Sequence, residues 1–152
     1  MDIRQWVQTH RRFQNLTAAT RELQLTPQEQ YAYRHHLGNL ERGGVPHPDG
    51  SVSSFLNTTV GFGNKTYVLP TVWDNKIVTV DDAVRRARED GLEKWPSYDS
   101  VEQAEKRYQA MHGYMERDTG AKLNANSIRQ PVRDGNDRAV EGAQPASPPR
   151  VD

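Results

Sequence analysis

The large apolar side chains of this chain are unevenly placed, and their placement limits what it can build. Between residues 26 and 119 they recur in short blocks separated by glycine and proline, whereas beyond Gly120 they thin to scattered residues such as Leu123, Ile128, Val132 and Val140. Apolar residues make up 34% of the 152 and charged residues 26%, too little to bury every segment in one interior. The expected organisation is a compact α+β module over residues 26–119. Residues 1–25 would be an N-terminal helix or docking arm, and residues 120–152 an extended or disordered C-terminal arm that gains order on a partner.

Local signals give the module its elements. Thr26-Pro27-Gln28-Glu29 combines a hydroxyl cap, a proline at the first helical position and a carboxylate three residues on, so a helix starts there. Tyr33, Leu37 and Leu40 follow on one face, Tyr31, His35 and His36 lie off its centre, and Gly43-Gly44 stops the run. Residues 45–50, with Pro46, Pro48, Asp49 and Gly50, read as turns. Residues 51–59 and 65–73 are rich in β-branched and aromatic side chains and flank Gly61-Phe62-Gly63-Asn64, a hairpin pattern. Pro70 lacks a ladder donor and predicts an interruption or a sheet edge there. Ile77-Val78 predicts a short third strand.

Two further helices follow. Thr79 to Asp82 resembles a cap, with Val80, Ala83, Val84 and Ala87 on one face and Gly91 at the end. Ser100-Val101-Glu102-Gln103 caps the most amphipathic helix, which carries Val101, Ala104, Tyr108, Met111 and Met115 at three- and four-residue steps and is expected to end near Gly120. The architecture predicted is a small antiparallel hairpin or three-stranded sheet packed by about three helices, with an arm at each end. In the N-terminal arm, Ile3, Trp6 and Val7, then Phe13 and Leu16, form a sparse stripe.

Charge and composition exclude several functions. Twenty basic residues balance twenty acidic ones, so no overall field draws the chain to nucleic acid. The absence of cysteine excludes disulfides, thiol catalysis and thiolate zinc sites. The opening residues lack a signal-peptide pattern and no apolar run reaches the length of a membrane span, so a chain made and kept soluble in a cytoplasm is expected.

Glu29, Glu41 and Glu116 are the carboxylates that a sugar-cleaving pair would draw on. Glu29 has a capping role and Glu116 sits on a charged helix, which leaves Glu41 alone. His35, His36, His47, Asp49 and His112 are chemically suited to a divalent cation, but adjacent histidines on a helix point about 100° apart and no spacing joins the set. Arg85, Arg86 and Arg88 form the densest basic cluster, yet Asp81, Asp82, Glu89 and Asp90 surround them and can pair along the helix. Gly61-Phe62-Gly63-Asn64 has neither the length nor the following lysine of a phosphate loop. Trp73 and Trp95 sit beside turns, where a large ring closes the end of a small core. The reading is therefore non-enzymatic, with no catalytic, cofactor or metal residue assigned.

The order of the central motifs resembles a known module. His36-Leu37-Gly38-Asn39-Leu40, Asp49-Gly50-Ser51-Val52-Ser53, Leu69-Pro70-Thr71-Val72-Trp73-Asp74, the helix around Ala83 to Gly91, Trp95-Pro96-Ser97-Tyr98 and the segment from Ala104 to His112 are similar to a module of tailed-bacteriophage genomes. It occurs as small stand-alone proteins and as segments of very large virion or internal proteins, and the resemblance covers about residues 26–119. It implies a virion protein, synthesised in the bacterial host cytoplasm. Its partners would be other virion proteins in a multi-copy symmetric assembly at the portal-tail junction, the tail or the capsid. A virion-associated peptidoglycan-processing protein and a non-virion regulatory protein are the alternatives.

Overall fold

In a computed structural model, which describes residues 2–129, the first helix α1 (Ile3–Leu23) starts at Asp2, whose side chain accepts the Arg4 N–H at 3.3 Å. It ends at Gln24, held in the left-handed region at φ 54°, and the N–H groups of Gln24 and Leu25 both reach the Thr20 carbonyl. Leu25 is buried behind this turn. Helix α2 (Pro27–Glu41) begins one residue later. The Thr26 hydroxyl accepts the Glu29 N–H at 3.1 Å and the Glu29 carboxylate accepts the Thr26 N–H at 3.0 Å, the reciprocal cap that the sequence predicts. Three residues thus turn the chain from one helix into the next, and α1 packs on α2.

Gly43 and Gly44 end α2, and only glycine serves at the second position. Gly44 has φ +62°, and a Cβ there would lie 2.5 Å from the Val52 side chain and 2.8 Å from the Ser53 carbonyl. The close approach comes from β1 (Val45–Pro46) pairing antiparallel with β2 (Val52–Ser53), where the sequence suggests only turns before residue 51. Residues 51–59, expected as one strand, are two. Leu56 adopts φ 44° and the chain turns there, with the Phe55 and Leu56 carbonyls both taken by the Thr71 N–H.

The main sheet has three strands, the second of them central. Strand β3 (Asn57–Phe62) and β4 (Lys65–Pro70) form the predicted hairpin, joined by Gly63-Asn64 with positive φ at Gly63 alone of the two. The third strand of this sheet is β7 (Ser97–Tyr98), on the far side of β4. Ile77, expected as that third strand, instead lies in β6 (Lys76–Ile77). This strand pairs with β5 (Val72–Trp73) in a separate ribbon, because Asp74 and Asn75 both take left-handed conformations and fold the chain straight back. Pro70 ends β4, as its missing donor predicts.

Helix α3 (Val80–Asp90) is capped by Thr79, whose hydroxyl accepts the Asp82 N–H at 3.1 Å, and stops at Gly91 (φ 120°). After a short 3-10 turn (Leu92–Lys94), helix α4 (Val101–Arg129) is capped by Ser100. By contact the chain divides into units of residues 1–119 and 120–152, and α4 runs from the first into the second. The C-terminal arm, expected to be extended from Gly120, is therefore helical to Arg129. A glycine within a helix costs about 1 kcal/mol relative to alanine, which Ala121, Lys122 and Leu123 tolerate without a break. The rest of the expected arm lies outside the described residues, as do the side chains of Trp6, Val7 and Phe13.

Mixed α+β architecture is thus the fold of the described chain, with small antiparallel sheets among four helices. Its core joins Ala19 and Leu25 to Ala32, Tyr33 and Leu37 of α2, Phe55, Val68 and Leu69, Ala87, Trp95, and Ala104, Tyr108, Met111 and Met115 of α4. The N-terminal helix thus contributes residues to the interior. Two expectations on individual faces change. Val101, the first residue of α4, is 55% exposed, and His36 is wholly buried, with Ser54 and Asp118 on its two ring nitrogens.

The core assignment has a direct check. Tyr108→Ala and Met111→Ala should each destabilise the fold by about 2 to 5 kcal/mol, while Val101→Ala should change it by less than about 0.5 kcal/mol, read by chemical denaturation.

Candidate functional site

Polar side chains inside the core gather along α2, in two clusters that α4 closes. At the start of α2, Glu29 is 1% exposed and accepts four hydrogen bonds. Its Oε1 takes the Thr26 N–H and the Arg107 Nη2 at 2.7 Å, and its Oε2 takes the Arg107 Nε at 2.9 Å and the Tyr98 hydroxyl at 2.6 Å. Arg107 also donates to the Leu23 carbonyl at 3.2 Å, so one guanidinium ties α4 to the end of α1 and the cap of α2. Burial alone pushes the Glu29 carboxyl upward, but Arg107, Tyr98 and the Thr26 amide together outweigh it and hold it below the usual carboxylate range. Burial and the Glu29 charge raise the Tyr98 phenol.

Two turns along α2, His36 sits between Ser54 and Asp118. Its Nδ1 lies 2.5 Å from the Ser54 hydroxyl oxygen and its Nε2 lies 3.2 Å from Asp118 Oδ2. A carboxylate only accepts, so in the neutral ring Nε2 carries the proton, Nδ1 accepts, and the Ser54 hydroxyl donates. The Tyr33 hydroxyl donates to the same Asp118 oxygen. Asn39, also buried, donates to the carbonyls of Ser54 and Val72, and its own oxygen accepts from Arg42. His35 reaches the Val72 carbonyl at 2.8 Å. The imidazoles of α2 and Asn39 therefore pin the 54–56 loop and strand β5, through the Val72 carbonyl, against the helix.

Ser54, His36 and Asp118 have the composition of a nucleophile, a base and an orienting carboxylate. Their setting differs from that of a catalytic triad. His36 is 0% and Ser54 7% exposed, and an acyl group reaches Oγ only if the 54–56 loop moves away. The Ser54 carbonyl is itself held by Asn39. Burial depresses the basicity of both His35 and His36, against the opposing pull of the Val72 carbonyl and of Asp118 respectively.

An aromatic group flanks these clusters. The His35 ring meets Trp73 at 4.6 Å and Trp95 at 5.4 Å between centroids, and Trp95 meets Tyr31 at 4.9 Å, all edge-on. The Trp73 indole N–H donates to the Pro70 carbonyl at 2.9 Å. Tyr31 donates to Asp90, and burial followed by that carboxylate raises its phenol to about 12. Both tryptophans thus pack at the junction of α2, the β5–β6 ribbon and the 3-10 turn.

The residues singled out by sequence are dispersed. Glu41 pairs with Arg12 at 2.8 Å and Glu116 with His112 at 3.2 Å, while Glu29 is enclosed. His47 contacts the Ser53 hydroxyl, and Asp49 accepts from the Ser51 N–H and hydroxyl within its own turn. Among the described residues no group of three or more acidic or histidine side chains is placed to hold a metal ion. Arg85 pairs with Asp82 and Glu89, and Arg86 with Asp82 and Asp74, as helical spacing predicts. Arg88 instead lies over the Phe62 ring at 4.5 Å. The sequence reading missed Arg107 and Asp118. Their partners on α2 stand 78 and 82 residues away, and no local pattern carries such pairings.

Two measurements test these clusters. Arg107→Leu leaves the Glu29 charge enclosed without its cation and should cost about 3 kcal/mol at neutral pH, with part recovered in the Glu29→Gln/Arg107→Leu double variant. In the unfolded chain His35 and His36 titrate near 6.5, and in the folded chain their affinity for protons is lower. Their contribution is thus fully present above pH 6.5 and is lost as the pH falls below it, because the unfolded state binds the protons first. Denaturation midpoints should decline between pH 7.5 and 5, a window above the carboxylate range, and the decline should flatten in His36→Asn. No protein-family model matches the chain, and no curated protein or solved structure shows significant similarity to it.

Proposed function

We propose that the protein is a structural, non-catalytic component of a tailed-bacteriophage particle, in which the folded module is held among neighbouring virion subunits. The observation that carries this reading is how the residues of the resemblance are used. His36 and Asn39, Leu69 to Trp73, and Trp95 to Tyr98 are three of the motif segments, and each holds loops or fills the core. Asn39 pins the Ser54 and Val72 carbonyls, Leu69 and Val72 are fully buried, Trp95 is 1% exposed, and Tyr98 closes on Glu29. A module whose shared residues are spent on shape is suited to presenting a surface.

The reading extends to the segment beyond the first unit. Residues 120–125 continue α4 with no buried residue, and Leu123 is 37% exposed, so this stretch has apolar surface left for a partner. The portal-tail junction, the tail and the capsid surface are the sites this role covers. For a wall-cleaving enzyme, by contrast, Glu41 would need a second carboxylate across a sugar bond, and its neighbour is Arg12.

Quantitative mass spectrometry of purified particles tests the proposal. The protein should be present at a fixed copy number, whereas its presence in infected cells and absence from particles would establish a non-virion role. A chain ended after Gly120 should keep its thermal midpoint within about 2 °C of the full chain and be incorporated into particles at reduced copy number. Full incorporation of the shortened chain would remove the assembly role of the segment.

A further inference from the structure

The outer edge of β3 is an open template for another strand. In its ladder with β4, Thr59 faces Val68 and Gly61 faces Thr66. The Val68 N–H bonds to the Pro96 carbonyl at 3.0 Å, on the side away from β3. Val68 and Thr59 are therefore a non-hydrogen-bonded pair, and by the antiparallel alternation so are Thr66 and Gly61. The N–H and C=O groups of Thr59 and Gly61 all point outward from the sheet. Among the described residues β3 has no partner strand on that side, and a Cβ built on Gly61 would meet nothing closer than the Lys65 carbonyl at 3.9 Å.

Such edges are usually guarded by charge, proline or a bulge. The run Asn57-Thr58-Thr59-Val60-Gly61-Phe62 has none of these. Beside it lies a groove of about 520 Å³, lined by Val60 and Phe62 of β3 and by Val80 and Val84 of α3. Helix α3 packs over β4, so it leaves the space where the side chains of a further strand would sit. Of the groove's charges, Arg85 and Glu89 pair with each other, while Asp81 and Arg88 lie in the first and last turns of α3, where the helix dipole favours each. Arg88, exposed and stacked over Phe62, has no carboxylate partner among the described residues.

We infer that β3 accepts an extended segment of another protein as an added antiparallel or parallel strand, with alternate apolar side chains in the groove and a carboxylate on Arg88. Main-chain bonds to Thr59 and Gly61 supply the pairing, and the groove and Arg88 supply the selection. The inference rests on the sheet edge and groove and holds whether or not the protein is part of a virion.

The probe is an array of synthetic hexapeptides that alternate threonine with valine, isoleucine, leucine or phenylalanine, each ending in aspartate, lysine or neither. The full chain should retain aspartate-ended members about ten-fold more tightly than their lysine-ended counterparts. Arg88→Glu, at an exposed site, should reverse that preference. Thr59→Pro removes an outward N–H without touching the β4 ladder, and should abolish retention while far-UV circular dichroism stays unchanged. If Thr59→Pro unfolds, Thr59 amide exchange slowed by bound peptide in the parent chain supplies the same readout. Binding to no member of the array, or retention indifferent to the end charge and to Arg88→Glu, would overturn the inference. So would a parent chain that sediments as a dimer and becomes monomeric in Thr59→Pro, since a second copy would then occupy the edge.

Discussion

Glu29 and Arg107 hold the fold at its most demanding point. A carboxylate is enclosed where α1 ends and α2 begins, and it is tolerated only because every lone pair it presents is met. The same carboxylate completes the cap of α2, so the charge is fixed by a local motif before it meets its distant partner. Arg107 then settles how α4 lies, since its guanidinium must reach both Glu29 and the Leu23 carbonyl. Removing the cation would leave the cap intact and the charge stranded, whereas removing both charges would leave a weaker joint without the penalty.

The second cluster follows from the first. With α4 docked through Arg107, Asp118 arrives three turns later on the same helix, where His36 and Tyr33 donate to it. The loop carrying Ser54 and strand β5 with Val72 are then drawn onto α2 by His36, His35 and Asn39. These polar contacts fix the position of the hairpin relative to the helices, and so the shape of the groove between β3 and α3.

Much of this architecture was legible in the sequence because the signals are local. Thr26, Thr79 and Ser100 announce helix starts through caps closed within four residues, and Gly61-Phe62-Gly63-Asn64 marks the hairpin between two β-branched runs, although Gly61 and Phe62 extend β3 and only Gly63-Asn64 make the turn. The apolar faces of α2 and α4 were readable from spacing, with Val101 the exception. What was not legible depends on partners far away. Whether residues 51–59 run straight is decided at Leu56 by Thr71, and whether His36 is a surface group is decided by Asp118. Gly120 shows the reverse limit, since a glycine with helical neighbours on both sides is read as a stop from composition and is passed through in the fold.

The long reach of these pairings bears on how the chain folds as it is made. Translation delivers α1 and α2 early, with Glu29, Tyr33 and His36 already in place on a helix that has no partner for them. Asp118 and Arg107 emerge only after the hairpin and α3. Until then the helix pair exposes one charge and two polar rings destined for the interior, with only the Thr26 amide already on the Glu29 carboxylate. Loop closure over about 80 residues must precede their burial, an ordering cost paid late rather than gradually. The joint between α1 and α2 can therefore form from local contacts, whereas burial of its polar side chains waits for α4.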